Sequence, residues 1–243
     1  MDNQIKILGI GAHGCDVFGR AGGTIARYIK NGHKATIVAL TYGERGEAEA
    51  VWGQENMTVE KVKELKKKEI TEAAKILGVD IRMMDYDDNP LEFNRERFLE
   101  LVDIVREEKP DIVLTHWIND WLNWDHATTA EWTIRAVWSA ARKGIITKTP
   151  VHKVKEIYMF MPSGLSEEVV GFRPDILIDV SDMNELKKKF IGVFATQAES
   201  HSYFLEQTQE YRGKQAGVKY AEAFFRFSKG VSSGSLKFLP LGE

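Results

Sequence analysis

Six short apolar runs recur along the chain, with amphipathic segments between them. The runs are IKILGIG at 5–11, ATIVALTY at 35–42, DIRMMDY at 80–86, DIVLTHW at 111–117, EIYMFM at 156–161 and DILIDV at 175–180. Each is nearly continuous in apolar and β-branched residues, the pattern of strands buried on both faces of a parallel sheet. The clearest intervening helix spans 58–77. Thr58 suits its start and Gly78 its end, while Val62, Leu65, Ala73, Ile76 and Leu77 share one apolar face. Further helices are expected near 18–31, 94–108, 126–143 and 182–197. Beyond about residue 198 the pattern is less regular. Strand–helix alternation with right-handed crossovers predicts a doubly wound, Rossmann-like three-layer α/β sandwich with a mostly parallel sheet. A length of 243 residues fits one domain over 1–243.

Composition excludes several classes of function. The net charge of −3, with both signs interspersed, gives no electrostatic reason to expect nucleic acid. No run approaches the ~20 apolar residues of a membrane span. Cys15 is the only cysteine, so no internal disulfide is possible and a reducing compartment fits. The N-terminus enters a strand with no signal-peptide pattern. The expectation is a cytoplasmic homo-oligomer acting on a small molecule.

In doubly wound sheets, ligands bind outside the carboxyl ends of the strands. Here the segments after the first four runs are polar: His13 and Asp16, then GERGEAE, then DDNP, then HWINDWLNWDH. Gly9, Gly11 and Gly14 spell G-x-G-x-x-G directly after the first run. A dinucleotide cradle also requires an acidic residue about 20 positions on, at the end of the second strand. That spacing lands near Lys34, before the second run, and Asp16 puts negative charge where phosphate would lie. A metal site uses the same residues better. A catalytic zinc takes three protein ligands and keeps one position open. His13 and Asp16 offer two, and His126, beside Asp125 at a helix start, offers a third. Simple helix capping is the competing reading of Asp125 and His126.

AHGCDVFGRAGGTIA followed by DHATT resembles the PIG-L/LmbE family of zinc-dependent deacetylases. The resemblance extends over most of the chain, including the closing YAEAF. It implies a zinc ion held by His13, Asp16 and His126, and close packing at Gly22 and Gly23. Two positions depart from the deacetylase pattern. Cys15 stands where those enzymes place a general-base Asp, and Asn123 where a His steadies the oxyanion. Amide hydrolysis needs both functions.

The stretch TYGERGEAEAVWGQENMTVEKVKELKKKEITEAAKILGV, with the late QAESHSYF and YRGKQAG, resembles the hydratase branch of the same family. That branch adds water to unsaturated dicarboxylic keto acids such as 4-oxalomesaconate. It also lacks the Asp base and has Asn at the position of Asn123. The resemblance implies a hydro-lyase in which a carboxylate or imidazole moves protons and cations hold acid groups. Glu47 is the expected proton carrier, with Glu44 and Glu49 as rivals. Asp125, Asn123 and His201 are further catalytic candidates. Arg45 and Arg212 are expected to bind substrate carboxylates, because Arg does so bidentately; a solvated surface is the competing reading. The hydratases carry a His in the loop after the fifth strand, where Ser163 is the nearest polar residue here. Two other readings stay open: a deacetylase of N-acetylated sugars using a different base, and a non-catalytic binder of metal or small acids.

Overall fold

A computed structural model describes residues 4–164, 167–227, 235–236 and 238–239. The ends of the expected 1–243 domain lie outside them. The elements in chain order are β1 (Lys6–Gly11), α1 (Asp16–Lys30), β2 (Lys34–Ala39), α2 (Glu49–Trp52), α3 (Val59–Leu77), β3 (Asp80–Met83), α4 (Arg95–Glu108), β4 (Ile112–Thr115), α5 (Trp124–Ala140), β5 (Glu156–Phe160), α6 (Glu167–Val170), β6 (Ile176–Asp179), α7 (Asn184–Ile191), α8 (Thr208–Ala216), β7 (Ala221–Arg226) and β8 (Ser235–Leu236). The strands form one sheet in the order β3-β2-β1-β4-β5-β7-β6-β8. The first five neighbours pair in parallel, as the apolar runs predict.

Alternation along the strands sorts the core into two layers. Leu8, Ile10, Val38 and Val113 face Leu101, Val105, Ala136 and Val137 of α4 and α5. Ile7, Ile37 and Ile112 face Phe18, Ile25, Ile70 and Phe190 of α1, α3 and α7. Each fully buried side chain of this size contributes roughly 1.5–3 kcal/mol. The α3 boundaries follow the sequence expectation. The Thr58 hydroxyl accepts the Lys61 N–H at 3.3 Å, and Gly78 closes the helix at φ 79°.

Two expectations change. AEAFFRF, within the stretch of less regular pattern, forms β7, which inserts antiparallel between β5 and β6. The expected helix 182–197 breaks into a 3-10 turn at Ser181–Met183, α7, and a second 3-10 segment at Ala195–Ser200. Gly192 ends α7, and Gln197 leaves helical geometry at φ −129°, ψ 35°.

The glycines after β1 bring α1 against its own strand. A Cβ at Gly9 would lie 2.6 Å from the Val17 side chain, and one at Gly11 would lie 3.0 Å from Asp16 Cβ. The G-x-G-x-x-G pattern therefore seats Asp16 at the sheet end rather than cradling a phosphate. Gly22 and Gly23 are tight as expected, against Phe190 at 2.7 Å and against Glu222 and Val180 at 3.0 Å. Glu222, on β7, accepts the Gly23 and Thr24 N–H groups and the Lys187 ammonium. Among the described residues, no helix is long and apolar enough to cross a membrane.

Candidate metal centre

Four side chains converge beyond the carboxyl ends of β1, β2 and β4: His13, Asp16, Glu47 and His126. One donor atom from each lies within 4.8 Å of the others. His13 Nδ1 is 3.3 Å from Asp16 Oδ2 and 3.1 Å from Glu47 Oε1. His126 Nε2 is 3.2 Å from Asp16 Oδ1 and 3.8 Å from Glu47 Oε1. His13, Asp16 and His126 are buried, and Glu47 is half-buried.

Each imidazole is aimed by a carboxylate on its far side. His13 Nε2 lies 3.2 Å from Asp125 Oδ2, and Asp125 also accepts the Asn89 and Leu91 N–H groups at 2.8 Å. His126 Nδ1 lies 2.8 Å from Asp120 Oδ2, which also accepts the Ser163 N–H and hydroxyl. A ring nitrogen that donates to a carboxylate leaves the other with its lone pair free. Those other nitrogens, His13 Nδ1 and His126 Nε2, are buried and complete no hydrogen bond. Asp16 accepts the His13 N–H at 2.7 Å and Arg20 Nη1 at 2.8 Å. Two unpartnered imidazole nitrogens and the Asp16 carboxylate are a three-ligand set of the kind a catalytic zinc takes, with the Glu47 carboxylate beside the position left open. A second grouping, His13 with Asp88 and Asp125, does not compete. Asp88 is committed to the Arg45 and Gly46 N–H groups, and Asp125 to its own backbone donors.

The local field keeps the carboxylates ionised. Burial alone would raise Glu47, but positive charge at His13, from a proton that a bound cation would replace, outweighs it and holds the carboxyl at about 2. Burial likewise opposes ionisation of Asp16, and His126, His116 and His13 hold it well below the usual range. His116, at the end of the fourth run, stacks on His126 with ring centroids 3.9 Å apart. Its Nε2 accepts the Ala12 N–H at 3.0 Å, and burial, then His126, push its pKa down to about 3.

The other sequence candidates fall in different places. Asn123 caps α5 through Oδ1 and donates from Nδ2 to Glu47 Oε1 at 3.4 Å. Asp125 faces the far side of His13, so it orients the ligand rather than reaching the centre. Glu44 is buried 3.3 Å from Lys63 Nζ, and Glu49 is exposed on α2; neither joins the four. Three expectations need correction. His201 spends Nε2 on the Phe194 carbonyl at 3.0 Å. The Arg45 guanidinium turns to the surface, 3.5 Å from Asp87, because Asp88 fixes its backbone N–H. Arg212 is buried on α8, where Nη1 donates to Gln215 and the guanidinium lies 5.0 Å from the Tyr211 ring. The cation at the centre is Arg20, whose i,i+4 spacing from Asp16 was a usable signal. Asp120 and His116 lie inside the polar stretch noted after the fourth run, but nothing in their spacing singles them out. Cys15 packs in the apolar cluster with Phe18, Tyr42 and Ile70, and burial pushes its thiol well up.

Known proteins resemble this chain in sequence and fold. Residues 8–137 match the family described as GlcNAc-PI de-N-acetylase, PIG-L. A 4-oxalmesaconate hydratase of Pseudomonas putida is 30% identical over 213 residues, 88% of this chain and 81% of that protein. A diacetylchitobiose deacetylase of Thermococcus kodakarensis is 27% identical over 241 residues, 93% of this chain and 84% of that protein. The crystal structure of GalB, the 4-carboxy-2-hydroxymuconate hydratase from Pseudomonas putida, superposes with a TM-score of 0.87 at 27% identity, covering 95% of this chain and 99% of that one. All four converging residues fall inside the matched stretch, whereas Gln197, His201 and Arg212 fall outside it.

Proposed function

The chain belongs to the PIG-L family, and from that premise we propose that it is a zinc-dependent hydro-lyase adding water to a conjugated, carboxylated keto acid of the 4-oxalomesaconate class. One observation carries this reading. Where the family's deacetylases place their base, this chain has Cys15, sunk in the apolar core with its thiol held protonated by burial. An ionised carboxylate stands instead at Glu47, 3.1 Å from His13 Nδ1. The relatives named as hydratases support the same choice.

His13, Asp16 and His126 would hold the ion. Bound there, zinc supplies Lewis acidity toward a substrate oxygen and lowers the pKa of a coordinated water. Glu47 takes a proton from the adding water as its oxygen bonds to one alkene carbon. The alkene electron pair moves onto the conjugated carbonyl, and the proton returns to the neighbouring carbon. One C–O and one C–H bond form, and the C=C bond becomes single. Asn123 steadies the Glu47 carboxylate through its amide N–H. Arg20, which donates to Asp16, Ser163 and the Met161 carbonyl, would hold the Asp16 carboxylate in place, its charge favouring an acidic substrate nearby. A single buried cysteine fits a cytoplasmic location. A second reading, a deacetylase of N-acetylated sugars, is favoured by Trp121 and Trp124. These exposed indoles lie on either side of Asn123, and their flat faces suit pyranose rings.

The test sets unsaturated dicarboxylic keto acids, followed by loss of ultraviolet absorbance, beside N-acetylated sugars assayed for acetate release. Hydration is expected, and Glu47→Gln should lower kcat by about 10²–10⁴ while keeping the metal. Acetate release without hydration would replace this reading with the second.

A further inference from the structure

The late stretch QAESHSYF reaches the centre, but not through its histidine. Gln197 is the residue that arrives. Its Nε2 donates to Glu47 Oε2 at 2.7 Å, and its Oε1 accepts from Lys66 Nζ at 2.6 Å. Lys66 also donates to the Glu47 backbone carbonyl at 2.6 Å. One turn along α3, Glu69 accepts both the N–H and the hydroxyl of Thr196, at 2.9 and 2.6 Å. Two residues of α3 thus clamp two consecutive residues of the segment 195–200. The clamp coincides with the point where Gln197 breaks helical geometry. Gln197, Thr196 and Lys66 are all buried.

We propose that Gln197 is a positioning residue that acts through Glu47, with Lys66 fixing which way its amide points. The inference rests on the reading above that Glu47 carries the proton. Its logic is donor and acceptor chemistry. A lysine ammonium only donates, so the atom facing it is the amide oxygen. The amide N–H₂ is then obliged to face Glu47. With Oε2 held by Gln197, the carboxylate presents Oε1 to His13 Nδ1 and to Asn123 Nδ2. Lys66 fixes the same residue a second time through its backbone carbonyl. Burying an ammonium whose partners here are neutral oxygens is costly. Glu47 stands on the loop between β2 and α2, and the clamp from α3 and Gln197 sets the direction of its side chain.

The test is a double-mutant cycle on whichever turnover the wild type performs, hydration or acetate release. Gln197→Met keeps the length and removes both the donor to Glu47 and the acceptor for Lys66. Gln197→Glu keeps the Lys66 contact and turns an acceptor toward Glu47. Each should lower kcat by roughly 10- to 100-fold, the cost of a misplaced catalytic group. KM and metal content should stay near wild type, while Gln197→Met, which strips the buried Lys66 ammonium of an acceptor, should lower the melting temperature. In a Glu47→Gln background the same substitutions should add no further loss, because residues that act as a unit are non-additive. Crystal structures of the metal-free Gln197→Met and Gln197→Glu proteins should show Glu47 Oε1 displaced from His13 Nδ1, a readout that needs no turnover. Equal losses in both backgrounds, or a Glu47 carboxylate that stays in place in either variant, would overturn the proposal. Acetate release in place of hydration would sink the hydratase reading and leave the cycle intact.

Discussion

The three proposed ligands and Glu47 occupy one centre but are held by different means. His13, Asp16 and His126 sit at or beside the ends of β1, α1 and α5; partners near in sequence aim Asp16 and His126, while Asp125, 112 residues away, aims His13. Asp120 is six residues before His126, and Arg20 is one helical turn after Asp16. Glu47 sits in the loop between β2 and α2. Its direction depends on Lys66, Gln197 and Asn123, and its backbone on Asp88 through the neighbouring N–H groups of Arg45 and Gly46. Metal holding and proton movement are therefore mechanically separable. The proposed ligand trio sits at the sheet end, whereas Glu47, the proposed proton carrier, is held on its loop by side chains of α3, of the start of α5 and of the segment 195–200.

The largest expected effect tests the ligand side. His13→Ala and His126→Ala should each weaken zinc binding by more than about 100-fold, beyond the range seen when only an outer partner is lost. Chelator competition measures this directly. Glu47→Gln in the same assay should stay near wild type. If His126→Ala binds zinc as tightly as wild type, the proposed ligand set is wrong and the separation fails.

A middle-sized effect sharpens the comparison by contrasting two buried aspartates. Asp120→Asn leaves His126 without its ionised partner, and zinc affinity should fall by about 10- to 100-fold. Asp88→Asn perturbs only the backbone anchor of the Glu47 loop. It should lower kcat and leave zinc affinity unchanged. Equal losses of zinc affinity in both variants would show that the loop and the ligand trio are one mechanical unit.

This division also decides what was legible in the sequence. The strands and the ligand trio lie in local patterns: an apolar run, a histidine just past its end, a carboxylate three residues on. Glycine spacing before α1 looked like a phosphate cradle because close backbone packing needs glycine for either purpose. Gln197 and Lys66 are 131 residues apart, and their meeting depends on α3 packing against a broken helix that periodicity alone had joined to α7. Residue type alone points to Arg45 and Arg212 as carboxylate binders. The direction of so long a side chain is set by neighbours such as Asp87, Asp88 and Gln215, which no spacing rule contains. β7 escaped because the chain before it lacks regular periodicity. Its Glu222 is nonetheless what accepts the inner N–H groups of α1.

The smallest functional effect is expected at Cys15, which precedes Asp16 but faces the other way, into the apolar layer under α1 and α3. Cys15→Ser replaces a weakly polar sulfur with a hydroxyl. Serine is favoured as a helix cap only where the backbone is extended. Residue 15 already has helical angles, φ −90° and ψ −16°, and its side chain makes no capping bond. The hydroxyl would thus be buried with no capping partner, at a cost of about 1–3 kcal/mol. For a chain of this size that lowers the melting temperature by roughly 2–12 °C. Zinc affinity and kcat should remain near wild type, because burial holds the thiol protonated and serine leaves the position neutral. A Cys15→Ser protein that keeps its metal and its melting temperature but loses turnover would place the thiol in the chemistry. The proton role would then pass from the Glu47 loop to the sheet end.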